Sequence, residues 1–535
     1  MGFQPSAGRP QCHHFPQPST PPKSFSTAIS SESGTTRTTQ ETQHGDIRLS
    51  TRATATFEPG SAPSSAALGR LVVVSNRVPA PERSDGRDRN TPVGGLVGAV
   101  APGLQERGGL WFGWSGRSTQ RRPDTAPALS QIGEINLATI DLSEDDVSLF
   151  YTGFANRTMW PLLHSFTDRT VIQHSTYRAY ERINRRFAEA LYPMLEAGDM
   201  VWVHDYHLMH MGRELRELGW QGKIGFFLHV PFPPADIFSI LPWSRQILTD
   251  LLSYDLVGVH TGRYLHNLAD SFADQLRDPT SGTIFSPDGT STFTHDGMST
   301  RLGAYPAGID PAIFQDPASD DGGGLAQQLS IANPPDHRII LAVDRLDYTK
   351  GIPQRLRAFE RLLERNRSLR GNVTFVQISS PSRSRVPEYI REKDQVDQLV
   401  GRINGRFSEG GWVPVRYLYR SYSQRELSRF YRDADVFTVT PLRDGMNLVA
   451  KEFVASQRED PGVLVLSKFS GAADSLTDAL LVNPYDVSGT AAAIYKGLRM
   501  SASERKRRWG AMAAEVWEHT AQRWSDTFSS DLASA

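Results

Sequence analysis

The sequence predicts an α/β fold built from two parallel-sheet halves. Three observations predict it. Short, continuous apolar runs alternate with helix-length segments, the pattern of parallel sheets covered on both faces. The chain has 535 residues, 39% of them hydrophobic, and single cores stop growing at about 250–300 residues. Charged residues gather just past several apolar runs, where strands end and helices begin.

Taken in order, residues 1–67 are rich in Ser, Thr, Pro and Gln and carry no lasting periodicity. They bury too little apolar area to offset the entropy of ordering, so a disordered tail is expected. The single cysteine, Cys12, lies there, which rules out an intrachain disulfide and a cysteine-based metal site. Apolar order starts at LVVVSNR, 71–77. Strands are expected at 71–75, 200–204, 224–229, 256–260, 301–306, 339–343, 374–379, 413–418, 436–440, 463–467 and 480–482. Helices are expected at 180–195, 351–366 and 423–433. Gly and Pro punctuate PAGIDPAIF, 306–314. One domain is therefore expected over 68–309 and a second over 310–500, with 501–535 a helical segment that packs back on the first domain.

Composition narrows the function. A net charge of −1 argues against a general nucleic-acid surface. No run of about 20 apolar residues suggests a membrane span, and the first 30 residues have no signal-like apolar core. A cytoplasmic protein is the simplest expectation, with no membrane or nucleic-acid partner; a homo-oligomer stays open. Neither GxGxxG nor GxxxxGK[ST] occurs. The Gly-rich stretch GLWFGWSGR, 109–117, lacks the lysine and spacing of a phosphate loop.

Two segments carry the chemistry. VDRLDYTKG, 343–351, offers the cations Arg345 and Lys350 just past a strand; TPLRDGMNLVAKE, 440–452, offers the carboxylates Asp444 and Glu452 around a helix start. Ligands of open parallel sheets gather beyond the carboxyl ends of strands, and a helix N-terminus favours phosphate. Two cations suit a diphosphate; two carboxylates suit hydroxyls. The alternative is a surface salt-bridge cluster of Asp344, Arg345, Asp347 and Lys350. In the first half, Arg77, Asp205, His207 and His229 follow or end strands, and the pair Gly94 and Gly95 reads as a flexible loop or a close-approach loop. HDYH has metal-like spacing, but His204 lies on the opposite strand parity from Asp205 and His207. Tyr151, Trp160 and Trp111 read singly as core or surface aromatics; their faces can also stack on a sugar.

These segments together resemble the trehalose-6-phosphate synthases, a family of retaining glucosyltransferases. The marks are LVVVSNRVP, GGL, GLWFGWSG, WP at 160–161, VWVHDYHL, IGFFLHVPFP, VDRLDYTKG, GRINGR, VTPLRDGMNLVAKE and LVNPYD, spread over about 70–530. The resemblance implies the glycosyltransferase-B architecture, two Rossmann-like domains facing across a cleft. It implies a nucleoside-diphosphate glucose donor, UDP-glucose by preference, and glucose 6-phosphate as acceptor, with no cofactor and no metal. It places Arg345 and Lys350 on the diphosphate, Asp444 and His229 on the donor glucose, and Glu452 on the ribose. Gly95, Asn447, Leu448 and Val449 complete the donor side. Arg77, Trp111, Tyr151, Trp160 and Arg383 surround the acceptor, with Asp205 on its hydroxyl. Asp205, His229, Arg345, Lys350 and Asp444 form the catalytic set. GVHTGRYLHNL, 258–268, and SPSRSR, 380–385, depart from the commonest bacterial pattern. The first, with LLHSF and ILPW, is closer to glucosylglycerol-phosphate synthases, which use glycerol 3-phosphate and ADP-glucose. Loss of either cation should slow turnover about 10²-fold with little effect on folding. Steady-state kinetics of Arg345→Ala test this, and normal turnover would remove the assignment.

Overall fold

The computed structural model describes residues 69–79, 100, 103–104, 109–120, 126–278, 281–285, 289–315, 324–329, 337–383 and 386–535. The expected tail 1–67 and the loop 91–99, with Gly94 and Gly95, lie outside these residues.

Ten strands form the first sheet: β1 (Leu71–Arg77), β2 (Leu110–Thr119), β3 (Ala128–Ile132), β4 (Ile135–Ser143), β5 (Met200–His204), β6 (Ile224–Leu228), β7 (Leu256–Val259), β8 (Gly282–Phe285), β9 (Ser291–His295) and β10 (Met298–Ala304). Their order across the sheet is β3-β4-β2-β1-β5-β6-β7-β10-β9-β8. From β4 to β10 all neighbours run parallel. Antiparallel pairing adds β3 at one edge and β9 and β8 at the other. Six strands form the second sheet, wholly parallel: β11 (Arg338–Arg345), β12 (Val373–Ser380), β13 (Val415–Leu418), β14 (Val436–Val439), β15 (Val463–Ser467) and β16 (Leu480–Val482). Their order is β13-β12-β11-β14-β15-β16.

Each sheet is a doubly wound α/β unit. Its winding reverses between β1 and β5 in the first sheet and between β11 and β14 in the second. A crevice opens beyond the carboxyl ends at such a reversal, because the flanking connections leave toward opposite faces.

The strands that match the expectation most closely include MVWVH and IGFFL, with every residue buried. The strands β2, β3, β4, β8 and β9 were not expected. The Gly-rich stretch 109–117 forms most of β2. A Cβ on Gly113 would lie 2.1 Å from the Ser75 carbonyl oxygen, so its glycine serves close strand approach rather than a phosphate loop. β3 is mostly exposed and β4 alternates, so neither reads as a continuous apolar run. Residues Val147–Met159 wind as a π-helix that runs into the short helix Trp160–Leu163. π-Turns are rare and frequent at functional sites.

The C-terminal segment consists of two helices. Ala502–Glu518 lies on the second sheet, with Met512 and Val516 in its core and Trp509 Nε1 donating to the Val454 carbonyl at 3.0 Å. Ala521–Ser534 lies on the first sheet. Phe528 stacks on Trp202 with centroids 4.4 Å apart and planes at 8°. It fits because Gly225 and Gly258 lack side chains: a Cβ on either would come 2.8 or 2.7 Å from its ring. The chain crosses between sheets at this turn, where the Ala521 N–H donates to the Ile309 carbonyl at 2.9 Å. No helix among the described residues is long and apolar enough to cross a membrane. Phe528→Ala should cost about 3–5 kcal/mol by opening a cavity against Trp202. Denaturant unfolding followed by circular dichroism measures it; a loss near zero would show that this helix adds no stability.

Candidate active site

At the second sheet's reversal, β11 ends on the exposed Arg345 and the chain turns sharply. Asp347 caps the turn, its Oδ1 accepting from the Thr349 N–H at 3.0 Å. Gly351 then takes φ 66°, a left-handed conformation that favours glycine. A Cβ there would also lie 2.6 Å from the Thr440 carbonyl oxygen. The loop after β14 is thus clamped to the loop after β11, and the Leu442 N–H donates to the Thr349 carbonyl at 2.7 Å.

This clamp sets Lys350 Nζ 2.5 Å from Asp444 Oδ2, with both side chains largely buried. Asn447 Nδ2 donates to the same oxygen at 2.8 Å. Burial pushes the Asp444 carboxyl up, but Lys350 and then Asn447 outweigh it and hold the group below the usual carboxylate range. Asn447, at φ 72°, opens the helix Leu448–Ser456, and its Oδ1 is buried without a partner. Leu448 and Val449 are half-buried in the first turn. Glu452 lies one turn further in, accepting from the Tyr431 hydroxyl at 3.0 Å. Burial pushes its carboxyl up to about 7, against the pull of that hydroxyl.

The alternative of a local salt-bridge cluster does not hold. Asp344 pairs with the buried Arg355, which also donates to Thr440 Oγ1 at 2.8 Å. Asp347 faces Arg383 at 3.4 Å, and Lys350 faces Asp444.

At the first sheet's reversal, Arg77 ends β1, exposed, with its guanidinium against Gly116. Asp205 follows β5 at φ 73°. Its Oδ1 accepts from the His229 N–H at 3.2 Å. Burial pushes this carboxyl up to about 6; hydrogen bonds from the Tyr206 and His229 backbones, then Arg383 and Arg345, pull against the rise. His229 Nε2 lies 2.9 Å from His204 Nδ1, and burial holds His229 well below its ordinary value, so it is neutral. Tyr151 stacks on His207 with centroids 5.9 Å apart. Trp160 is almost fully buried, and its indole N–H has no partner.

Trp111 does not join this group. It is 1% exposed in the core of the first sheet, with its Nε1 donating to Ser75 Oγ at 2.8 Å. Its ring and its donor are both used by the fold, so it cannot present a face to a sugar.

The two halves meet at these residues. Tyr264 Oη donates to the Asp444 carbonyl at 2.8 Å. A Cβ on Gly445 would lie 2.1 Å from the His229 carbonyl oxygen, so only glycine allows this approach. Arg383, at φ 45°, lays its Cζ 4.0 Å over the Trp160 ring and donates from Nη2 to Tyr206 Oη at 3.0 Å. Arg345 Cζ lies 5.6 Å from the same ring. Three residues here were not foreseen: Tyr206, His164 and Tyr264. His164 packs on Trp160 at 4.2 Å and donates from Nδ1 to its carbonyl at 2.8 Å. Burial lowers its pKa to about 4, so the ring is neutral with Nε2 as an acceptor. Its sequence signal was LLHSF, a histidine alone among apolar residues beside WP.

HDYH does not form a metal site: His204 is bonded to His229 and His207 is stacked on Tyr151. The one metal-like group among the described residues is Asp278, His295 and Asp296, near the sheet edge. Asp278 approaches Nδ1 at 2.7 Å and Asp296 approaches Nε2 at 3.5 Å. Carboxylates on opposite sides of one imidazole are arranged to accept hydrogen bonds rather than to share an ion.

Two doubly wound sheets, joined at their reversal points by cations, carboxylates and aromatic faces, define a glycosyltransferase of the two-domain GT-B type. The model of glycosyltransferase family 20 matches residues 69–534, and the chain belongs to that family. It is 43% identical over 467 residues to the trehalose-6-phosphate synthase of Sinorhizobium fredii, covering 87% of this chain and 98% of that one. It is similar to the solved α,α-trehalose-phosphate synthase (UDP-forming) of Burkholderia xenovorans in complex with glucose-6-phosphate, at 38% identity and TM-score 0.80, over 87% of this chain and 100% of that one. A structure from E. coli bound with UDP-2-fluoro glucose matches at 38% identity and TM-score 0.80, over 87% and 99%.

The raised Glu452 carboxyl predicts a pH effect. Its pKa in the fold is about 7 against an ordinary 4.5, so charging it opposes folding. The stability it allows is complete below 4.5 and is lost as pH rises through about 7. Glu452→Gln keeps an acceptor for Tyr431 and removes the charge. Its melting temperature should rise relative to the native protein at about pH 8 and much less at about pH 5. Equal differences at both pH values, by calorimetry, would contradict this.

Proposed function

We propose that this enzyme transfers glucose from UDP-glucose to glucose 6-phosphate, with retention, to give α,α-trehalose 6-phosphate and UDP. The observation that carries the reading is the seam itself. At the second sheet's reversal Lys350 pairs with Asp444, whose neighbour Gly445 presses on the His229 carbonyl, while Arg345 and Arg383 of the same half lean on Trp160 of the first half. Residues 68–309 form the acceptor domain in this reading, and 310–500 the nucleotide-sugar domain. Both substrates are phosphorylated metabolites made inside cells, so the reaction is assigned to the cytoplasm.

In the mechanism, Arg345 and Lys350 bind the diphosphate, and the first turn of Leu448–Ser456 adds backbone N–H groups. Glu452 accepts the ribose hydroxyls. Asp444, kept ionised by Lys350, accepts hydroxyls of the donor glucose. Neutral His229 contacts the same sugar without placing a cation beside the forming oxocarbenium. Arg77, Tyr151, Trp160 and Arg383 hold the acceptor phosphate, and Asp205 orients the attacking hydroxyl. The sugar–phosphate bond lengthens, charge builds on the leaving diphosphate, and the two cations stabilise it more than they did the ground state. A leaving phosphate oxygen takes the acceptor's proton as attack proceeds on the same face. Rate therefore comes from positioning and electrostatics.

The test is a matrix of UDP-, GDP- and ADP-glucose against glucose 6-phosphate and glycerol 3-phosphate, read by mass detection of product. Trehalose 6-phosphate formed fastest from UDP-glucose is the expected result. Product only from ADP-glucose and glycerol 3-phosphate would overturn it in favour of a glucosylglycerol-phosphate synthase.

A further inference from the structure

Asn156 and Tyr206 are buried polar residues that the mechanism above does not use, being 2% and 0% exposed. Their hydrogen bonds have only one possible direction. Asn156 Nδ2 lies 2.8 Å from the Tyr151 carbonyl oxygen. A carbonyl can only accept, so the amide nitrogen faces it and Oδ1 faces the other way. Tyr206 Oη lies 3.2 Å from that Oδ1 and must donate to it. The Tyr206 oxygen then has lone pairs left, and Arg383 Nη2 donates to it at 3.0 Å. The result is one chain of donors: Arg383 to Tyr206, Tyr206 to Asn156, Asn156 to the backbone of Tyr151. Burial pushes the Tyr206 phenol well above its ordinary range, so its proton stays in place.

The ends of the chain matter. Arg383 and Tyr151 both belong to the cage assigned above to the acceptor phosphate. Arg383 follows β12 in the second sheet, whereas Tyr151, Asn156 and Tyr206 belong to the first half. Tyr151 and Asn156 sit in the π-helix Val147–Met159, and Tyr206 lies in the loop after β5. Arg383 also has partners in its own half, Asp347 at 3.4 Å and the Tyr389 hydroxyl. Without Tyr206 Oη, those partners would draw the guanidinium back toward the second sheet and away from Tyr151.

We propose that Asn156 and Tyr206 are positioning residues for acceptor recognition, fixing the Arg383 and Tyr151 ends of the phosphate cage relative to each other across the seam. This rests on the acceptor reading above. The same geometry explains why a phenol and an amide are buried together beside Trp160, whose ring lies 5.8 Å from Tyr206.

The test uses the full-length enzyme and steady-state kinetics with UDP-glucose and glucose 6-phosphate. Tyr206→Phe keeps the buried ring and removes only the hydroxyl. Its KM for glucose 6-phosphate should rise about tenfold, while KM for UDP-glucose stays within about twofold. Asn156→Ala should give the same split by freeing the other end. A fall in kcat alone, or an equal rise in both KM values, would overturn the proposal. Arg383→Ala separates the two levels of the argument. If it raises the acceptor KM and Tyr206→Phe does not, the chain is only structural and the inference fails while the acceptor reading stands. If Arg383→Ala also leaves the acceptor KM unchanged, the acceptor reading itself fails.

Discussion

The constraint on which the rest depends is that each sheet reverses its winding once. Helices cover both faces of a parallel sheet, but at the reversal the flanking connections part and leave strand ends uncovered. β1, β5, β11 and β14 end there. Arg77, Asp205, Arg345 and Asp444 lie at or just past those ends. The sheets therefore dictate where charge can be exposed, and the loops decide how closely it is brought together. Gly351 and Gly445 do that work at two positions where a side chain would strike a carbonyl oxygen, at 2.6 and 2.1 Å. One presses the two second-sheet loops together; the other presses the second half against the first.

Electrostatics then separates groups of the same type. Burying an ion costs several kcal/mol unless a partner compensates. Asp444 has Lys350 at 2.5 Å and stays ionised. Glu452 has only a neutral phenol, and its carboxyl rises to about 7. Asp205 falls between, at about 6: burial raises it, and hydrogen bonds from the Tyr206 and His229 backbones, then Arg383 and Arg345, pull against the rise. The histidines 204, 229 and 260 are all pushed down by burial. Divergent environments for like groups are how one site divides its roles: a fixed anion beside a cation, two carboxyls near neutrality, and neutral imidazoles.

The parts of this architecture that were legible in the sequence are those whose signal is local. β5 and β6 are apolar throughout because both faces are covered, so their extents were readable nearly to the residue. β2 to β4 were not, because β2 carries glycines, β3 is mostly exposed and β4 mixes apolar with polar residues. Trp111 and Trp160 look alike in sequence, yet one is turned into the core against Ser75 and the other lies under Arg383. Side-chain direction there depends on pairing of β1 with β2 and on a π-helix, neither of which leaves a pattern of fixed period. The pairing of charges was equally hidden. Asp344, Arg345, Asp347 and Lys350 lie within seven residues, but the partners that decide their behaviour are Arg355, Arg383 and Asp444, brought in by tertiary contact.

The chain crossings between halves tie Glu452 and His229 to the relative placement of the sheets. One crossing follows β10 and the other is the turn between the last two helices. They run side by side: a Cβ on Gly308 would lie 2.0 Å from the His519 carbonyl oxygen. The helix Leu448–Ser456, which carries Glu452, reaches this pair through Lys451. Its Nζ donates to the Ala307 carbonyl at 2.9 Å, and burial lowers its pKa to about 8. Beyond the second crossing, Trp524 packs tilted against Trp202 with centroids 4.9 Å apart and lies 6.0 Å from His229. A shift of one half against the other must therefore bend the chain at a point already bonded to the helix Leu448–Ser456 and followed at once by a residue packed beside His229. Glu452 and His229 therefore both sit on elements held at that joint.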